Sequence, residues 1–126
     1  MDQLSPGEAL SRLKQLVGNG MAGKNYTFVP TEKNKLLLDT YFIDDKKKIE
    51  ILNSLDEKDY VKDEYSHSEE FPDNYMYVFL KRAVSLLPRF SEDIAYKNVD
   101  IYIKFYFDNE KRSLVVILSL HEARDY

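Results

Sequence analysis

Three side chains in the last third of the sequence, Tyr102, Lys104 and His121, carry groups capable of acid–base chemistry. An imidazole has an unperturbed pKa of about 6.5, so it can accept or release a proton at neutral pH. A lysine ammonium stays charged there and can stabilise negative charge developing on a phosphate. Together with a phenol, these groups are suited to cleaving a phosphodiester. The simpler alternative is that they are ordinary polar residues on the outer face of an antiparallel sheet.

Alternation of apolar and polar residues predicts the strands that would position these groups. Residues 101–107 place Ile and Phe at every odd position, residues 108–113 form a polar turn, and residues 114–120 are largely apolar. This pattern predicts an antiparallel hairpin with one buried face. The predicted buried pairs are Phe107–Leu114, Phe105–Val116, Ile103–Leu118 and Ile101–Leu120. On the other face we predict Tyr102 opposite Ser119, Lys104 opposite Ile117, and His121 diagonal to Tyr102.

An earlier strand and three helices are predicted to complete the fold. Met76, Val78 and Leu80 alternate with Tyr75, Tyr77, Phe79 and Lys81, which is typical of a strand with one aliphatic face. Ser5 with Glu8, then Thr31, then Asp44 with Asp45 are predicted to start helices. We also predict a short edge strand at Tyr26, Phe28 and Val29, and a short helix within residues 83–97 on either side of Pro88. Helices followed by strands indicate an α+β fold with the helices on one face of an antiparallel sheet.

Composition limits the possible classes of protein. The 126 residues fit one domain, 1–126, and the absence of Cys removes thiolate chemistry and suits a reducing cytoplasm. No apolar run is long enough to cross a membrane. The net charge is −4, and residues 56–73 hold eight acids against Lys58 and Lys62. That segment is expected to be a solvated loop, or else a surface that binds a basic partner or mimics nucleic acid. A metal site built from His67, Glu69, Glu70 and Asp73 is a further, weaker alternative.

Several segments resemble the MqsR (motility quorum-sensing regulator) family of mRNA interferase toxins. They are Ile-Tyr-Ile-Lys at 101–104, Ser-Leu-His-Glu-Ala at 119–123, Tyr-Val-Phe-Leu-Lys at 77–81, and the stretch from Ile49 to Lys62. The similarity runs in the same order over roughly residues 31–123. It implies a compact RelE-like RNase fold, cleavage of mRNA without a metal or other cofactor, and neutralisation by a cognate antitoxin protein in the cytoplasm.

The resemblance also implies roles for particular residues. Lys62, Tyr102 and His121 match positions at the family's catalytic cleft, with Lys104 adjacent. We expect His121 to act as general acid or base, Lys62 and Lys104 to hold phosphate, and Tyr102 to donate a proton or orient the substrate. The expected RNA-binding residues are Lys81, Arg82, Tyr77 and Asn74, with the rings of Tyr75 and Tyr77 available for base stacking.

Overall fold

The computed structural model describes residues 4–65, 75–92, 94–108 and 113–123. The helices are α1 (Pro6–Asn19), α2 (Glu32–Thr40), α3 (Asp45–Asn53) and a short 3₁₀ helix, η1 (Glu57–Asp59). The strands are β1 (Tyr26–Phe28), β2 (Tyr60–Tyr65), β3 (Tyr75–Leu86), β4 (Lys97–Phe107) and β5 (Val115–Glu122). They form one open sheet in the order β1-β5-β4-β3-β2, in which β1 runs parallel to β5 and the other pairs are antiparallel. The predicted α+β class is confirmed.

The helices begin where their capping residues predict. The hydroxyl of Ser5 accepts a hydrogen bond from the backbone N–H of Glu8, whose carboxylate accepts one from the N–H of Ser5, as in a capping box. Thr31 and Asp44 cap α2 and α3 by accepting from the third backbone N–H beyond each of them. The predicted edge strand is also present, as β1.

The hydrophobic core lies between the helices and one face of the sheet. Leu13 of α1 and Leu52 of α3 are fully buried with Phe79 of β3 and Phe105 of β4. The rings of Phe79 and Phe105 are stacked with centroids 5.7 Å apart. Truncating either ring to alanine is expected to cost about 3–5 kcal/mol because the surrounding packing cannot close the cavity. Because the main core covers one face of the sheet, the opposite face is available for a site.

Strand β3 turns its aromatic face inward. Tyr77 and Phe79 are buried in the main core, whereas Met76 packs on the other face with Tyr106 and Val116. The predicted helix within residues 83–97 is wrong, because β3 continues to Leu86 and no helix occurs in the described part of that segment. β3 accommodates an irregularity after Lys81, where Ala83 has a positive φ of 56°.

The expectation of a solvated loop over residues 56–73 is also partly wrong, because η1 and β2 occupy 57–65. The rest of that segment, residues 66–73, lies outside the described residues, as does the predicted metal set of His67, Glu69, Glu70 and Asp73.

The hairpin of β4 and β5 forms with a different register from the predicted one. Pairing runs from Phe107–Val115 to Phe105–Ile117 and resumes at Lys104–Ser119, so Leu118 is an extra residue in a β-bulge. The predicted buried pairs are therefore wrong: Val115, Ile117 and Leu120 enter the core, whereas Val116 packs on the opposite face. The predicted pairs Tyr102–Ser119 and Lys104–Ile117 are replaced by Tyr102–His121 and Lys104–Ser119. If Leu118 were instead paired in a regular strand without a bulge, strict alternation from Ile117 would direct His121 toward the core.

Candidate active site

A cleft of about 710 Å³ lies on the sheet face opposite the main core. Cross-strand pairing creates two rows of side chains on that face, one of Leu80, Tyr102 and His121, the other of Lys62, Val78, Lys104 and Ser119. The first turn of α2 contributes Thr31, Glu32 and Lys33 to the wall. The four residues predicted to be catalytic, Lys62, Tyr102, Lys104 and His121, all line this one cleft.

His121 is held in a defined position at the cleft. Its residue surface is only 7% exposed, and its ring stacks on that of Tyr102 with centroids 5.1 Å apart and planes inclined by 21°. Its Nδ1 atom lies 3.0 Å from the backbone oxygen of Glu122. Because a carbonyl oxygen only accepts hydrogen bonds, this contact requires a proton on Nδ1. The lone pair of the neutral imidazole is then on Nε2, which is the atom able to exchange a proton with a substrate.

Lysines give the cleft a positive charge. Lys62 and Lys104 belong to strands on either side of β3, a separation of about 10 Å between backbones at normal strand spacing. With Lys33 they make three cations against one acid, Glu32, among the described residues that line the cleft. The chain as a whole carries −4. The cleft therefore attracts anions although the whole chain is acidic.

Asn34 fixes the wall that α2 contributes. It is 8% exposed, and its amide nitrogen donates to the backbone oxygens of Val29 and Leu118 at 2.7 and 2.9 Å. Its amide oxygen accepts from the N–H of Leu120 at 2.9 Å. The amide thus continues the pairing along the edge of β5 after β1 has ended. Sequence analysis did not single out Asn34. The available signal was its spacing of three and four residues from Leu37 and Leu38, which places a polar amide on the apolar face of a short helix.

The residues predicted to bind RNA are mostly elsewhere. Tyr77 is 4% exposed in the core, where its hydroxyl accepts a hydrogen bond from the N–H of Leu4, so the prediction that its ring stacks on a base is wrong. The ammonium of Lys81 is on the helix side, 2.9 Å from the carbonyl oxygen of Ser54 and 3.5 Å from the carboxylate of Asp59. It therefore does not reach the cleft.

Two further residues predicted to bind RNA are Arg82 and Asn74, and Tyr75 was predicted to stack on a base. Arg82 is exposed at the irregularity of β3 and lies 3.8 Å from the carboxylate of Asp100. Asn74 lies outside the described residues. Tyr75 is partly buried and packs edge-on against the ring of Tyr77, 5.1 Å between centroids, on the core side. Neither Arg82 nor Tyr75 is among the residues that line the cleft.

Within the described ranges, no three His, Cys, Asp or Glu residues are grouped so that they could hold a metal ion. No described helix is both long and apolar enough to cross a membrane. Comparisons with protein families, with curated proteins and with solved structures find no match to this chain.

Proposed function

We propose that this chain is an endoribonuclease that cleaves mRNA without a metal, using the cleft on the outer sheet face as its active site. The observation that carries the proposal is the meeting of an imidazole, a phenol and two lysines from three strands in that single cleft. Each group matches a need of the reaction, in which the ribose 2′-hydroxyl attacks the neighbouring phosphorus. The resemblance to MqsR toxins noted above supports the same reaction and extends the proposal to a RelE-like RNase fold.

In the proposed mechanism, His121 transfers a proton and the lysines stabilise the transition state. Nε2 of His121 either accepts the proton of the attacking 2′-hydroxyl or donates a proton to the departing 5′-oxygen. Lys62 and Lys104 hold the non-bridging phosphate oxygens, where negative charge increases. Tyr102 supports the imidazole from its stacked position and lines the cleft beside it.

The test is cleavage of end-labelled RNA by the purified protein in excess chelator. Wild type should yield fragments ending in a 2′,3′-cyclic phosphate, and an oligonucleotide with a single 2′-deoxyribose at the cut site should resist. His121→Ala should lower the rate by about 10²–10⁴-fold, the usual contribution of a proton-transfer residue. Lys35→Ala, an exposed cation of α2 outside the cleft lining, should retain the wild-type rate. Absence of cleavage, or equal rates for wild type and His121→Ala, would refute the proposal.

We further propose that the protein is the toxin of a type II toxin–antitoxin pair, acting in the cytoplasm and bound by a cognate antitoxin. Induced expression of the wild-type chain should then arrest growth, and His121→Ala should not. Co-expression of a small DNA-binding protein encoded by a neighbouring gene should restore growth. Normal growth during high expression of soluble, folded wild type would contradict this part of the proposal.

The alternative is a non-catalytic module that binds a partner through its acidic segment. It predicts that neutralising Glu69 and Glu70 abolishes function while His121→Ala does not. Several acids at the start of the segment already have local partners: Asp56 and Asp59 cap η1, and Asp63 accepts a hydrogen bond from Tyr60. These contacts favour a role for those acids in the fold, so the cleft remains the better supported site.

A further inference from the structure

A second hollow adjoins the cleft. It has a volume of about 440 Å³ and runs along α2, where Leu36, Leu37 and Thr40 line it together with Glu122 of β5. Three residues line both spaces: Glu32, Lys33 and His121. The two spaces therefore form one groove with two compartments, and a carboxylate, an ammonium and an imidazole stand where the compartments meet.

We infer that the two compartments are adjoining nucleotide subsites, and that Glu32 is the proton-transfer partner of His121 at the phosphate between them. This inference rests on the proposed ribonuclease function. The two oxygens that exchange protons in RNA cleavage belong to neighbouring nucleosides on either side of one phosphorus. An enzyme for this reaction needs a space on each side of the phosphate and two proton-transfer groups beside it. The groove supplies both at one place.

Glu32 is positioned for this role by its helix. It lies in the first turn of α2, where Asn34 makes two hydrogen bonds to β5 and a third to the backbone oxygen of Val29. Among the described residues, the Glu32 carboxylate has no hydrogen-bond or ion-pair partner, in contrast to the carboxylate of Asp44, which caps α3. An exposed carboxylate whose backbone is fixed can accept a proton without disrupting the fold.

The proposed reaction transfers one proton to Glu32 and one from His121. Glu32 takes the proton of the 2′-hydroxyl while the O2′–P bond forms. The P–O5′ bond breaks, its electron pair stays on O5′, and protonated His121 gives that oxygen the proton of Nε2. The products are a 2′,3′-cyclic phosphate and a 5′-hydroxyl, and exchange with water returns both side chains to their starting states. The hydrogen bond from Nδ1 to the oxygen of Glu122 persists throughout and stabilises the imidazolium.

An RNA with sulfur in place of the departing O5′ separates the two roles, because a thiolate leaves without protonation. Glu32→Gln should lower the rate by about 10²–10³-fold on both ordinary and sulfur-containing RNA. His121→Ala should be slow on ordinary RNA and recover most of its rate on the sulfur substrate. Asp39→Asn, the same change at an exposed carboxylate of α2 outside both compartments, should match wild type. Wild-type rates for Glu32→Gln, or rescue of Glu32→Gln instead of His121→Ala, would overturn the inference.

Filling the second compartment tests its use as a subsite. Leu36 is 48% exposed, so a tryptophan there can be accommodated without disturbing the core. Leu36→Trp should raise KM for a trinucleotide by about tenfold, as expected for a lost contact of 1.4 kcal/mol, and leave kcat within a factor of two. Circular dichroism would confirm that the variant is folded. An unchanged KM in the folded variant would show that the second compartment holds no part of the substrate.

A measurement without RNA distinguishes failure of this inference from failure of the proposed function. The NMR signals of the His121 ring should change position in Glu32→Gln, because the carboxylate and the imidazole line the same part of the groove. The other charged or titratable groups facing the groove, Lys33, Lys62, Tyr102, Lys104 and Glu122, are the same in both proteins. His67→Gln assigns the signal, since the chain has two histidines, and Asp39→Asn should cause no shift. A shift without RNA cleavage would refute the proposed ribonuclease function but leave the Glu32–His121 pair supported. RNA cleavage without a shift would refute only the pairing of Glu32 with His121.

Discussion

At the scale of single residues, Asn34 shows how one side chain links a helix to a sheet. Strand β1 pairs with β5 only as far as Phe28, and beyond that point the Asn34 amide bonds to Leu118 and Leu120 as a neighbouring strand would. The Glu32 and Lys33 side chains reach the groove because α2 is anchored in this way. A contact made for stability thus also sets the position of the candidate site.

Replacing Asn34 by alanine should therefore destabilise the protein and weaken its activity together. The change leaves buried backbone groups of β5 without partners, at a cost of about 2–4 kcal/mol in the free energy of unfolding. Urea denaturation followed by circular dichroism would measure it. Asn53→Ala, at an exposed position at the end of α3, is the matched control and should cost less than about 0.5 kcal/mol. Equal stabilities of the two variants would contradict the structural role of Asn34.

Tyr60 should make stability fall at alkaline pH. Burial, followed by the hydrogen bond that its hydroxyl donates to Asp63, raises its pKa from 10.0 to about 12. A phenol with a higher pKa in the folded state than in the unfolded state stabilises the fold fully below pH 10, and this contribution is lost as pH rises from 10 to 12. Burial raises the pKa of Tyr41 and Tyr106 in the same direction.

The free energy of unfolding should accordingly decline between pH 10 and 12, and less steeply in Tyr60→Phe than in wild type. Absorbance at 295 nm should show phenolate formation extending to about pH 12 in wild type, with that late part reduced in the variant. Titration of all tyrosines together near pH 10 would contradict the raised pKa.

At the scale of elements, the bulge at Leu118 decides which face His121 occupies. Deleting Leu118 makes the pairs Phe105–Ile117 and Lys104–Ser119 consecutive, as regular antiparallel pairing requires. We therefore expect the deletion variant to fold and to keep the ring of His121 on that of Tyr102, detectable as a nuclear Overhauser effect between them. An alanine inserted after Ser119 should abolish this contact because it moves His121 by one position. Loss of the contact in the deletion variant would contradict the register.

The sequence predicted elements better than it predicted faces. Caps at Ser5, Thr31 and Asp44 are local signals, and each of them begins a helix as expected. The run from Leu114 to Leu118 is apolar throughout, so it fits either face and gives no sign of a bulge. In β3, both alternating sets are hydrophobic, and only packing against the helices decides that Phe79 rather than Met76 faces the main core.

The candidate site was also predicted only in part, because packing between distant segments decides which residues meet there. Lys62, Tyr102, Lys104 and His121 meet in the cleft, although the pairing that brings them together differs from the predicted one. Glu32 and Lys33 could not be identified, because their proximity to His121 depends on how α2 packs against β5. That packing involves residues more than 80 positions apart, such as Asn34 and Leu118.

At the scale of the whole molecule, a positive cleft in an acidic protein predicts a modest salt dependence of RNA binding. Three lysines in contact with phosphates of single-stranded RNA correspond to a slope of about −2 for log affinity against log salt concentration. Fluorescence anisotropy with His121→Ala avoids cleavage during the measurement. Adding Lys62→Ala and Lys104→Ala to the His121→Ala variant should reduce the slope to about −1.

Lys35→Ala is the control for net charge in this measurement. It removes a positive charge of α2 outside the cleft lining, so it should leave the slope unchanged. If Lys35→Ala and the substitutions at Lys62 and Lys104 had equal effects per charge removed, RNA binding would depend on overall charge instead of on the cleft.

The order of strands across the sheet has a consequence for the chain during its synthesis. The cleft takes residues from α2, β2, β3, β4 and β5, and β5 is the last of these elements to be translated. It then inserts between β1, one of the first elements made, and β4. A nascent chain that has not yet released β5 from the ribosome therefore has neither a complete core nor His121. Any activity of the cleft begins only after nearly all of the described fold has left the exit tunnel.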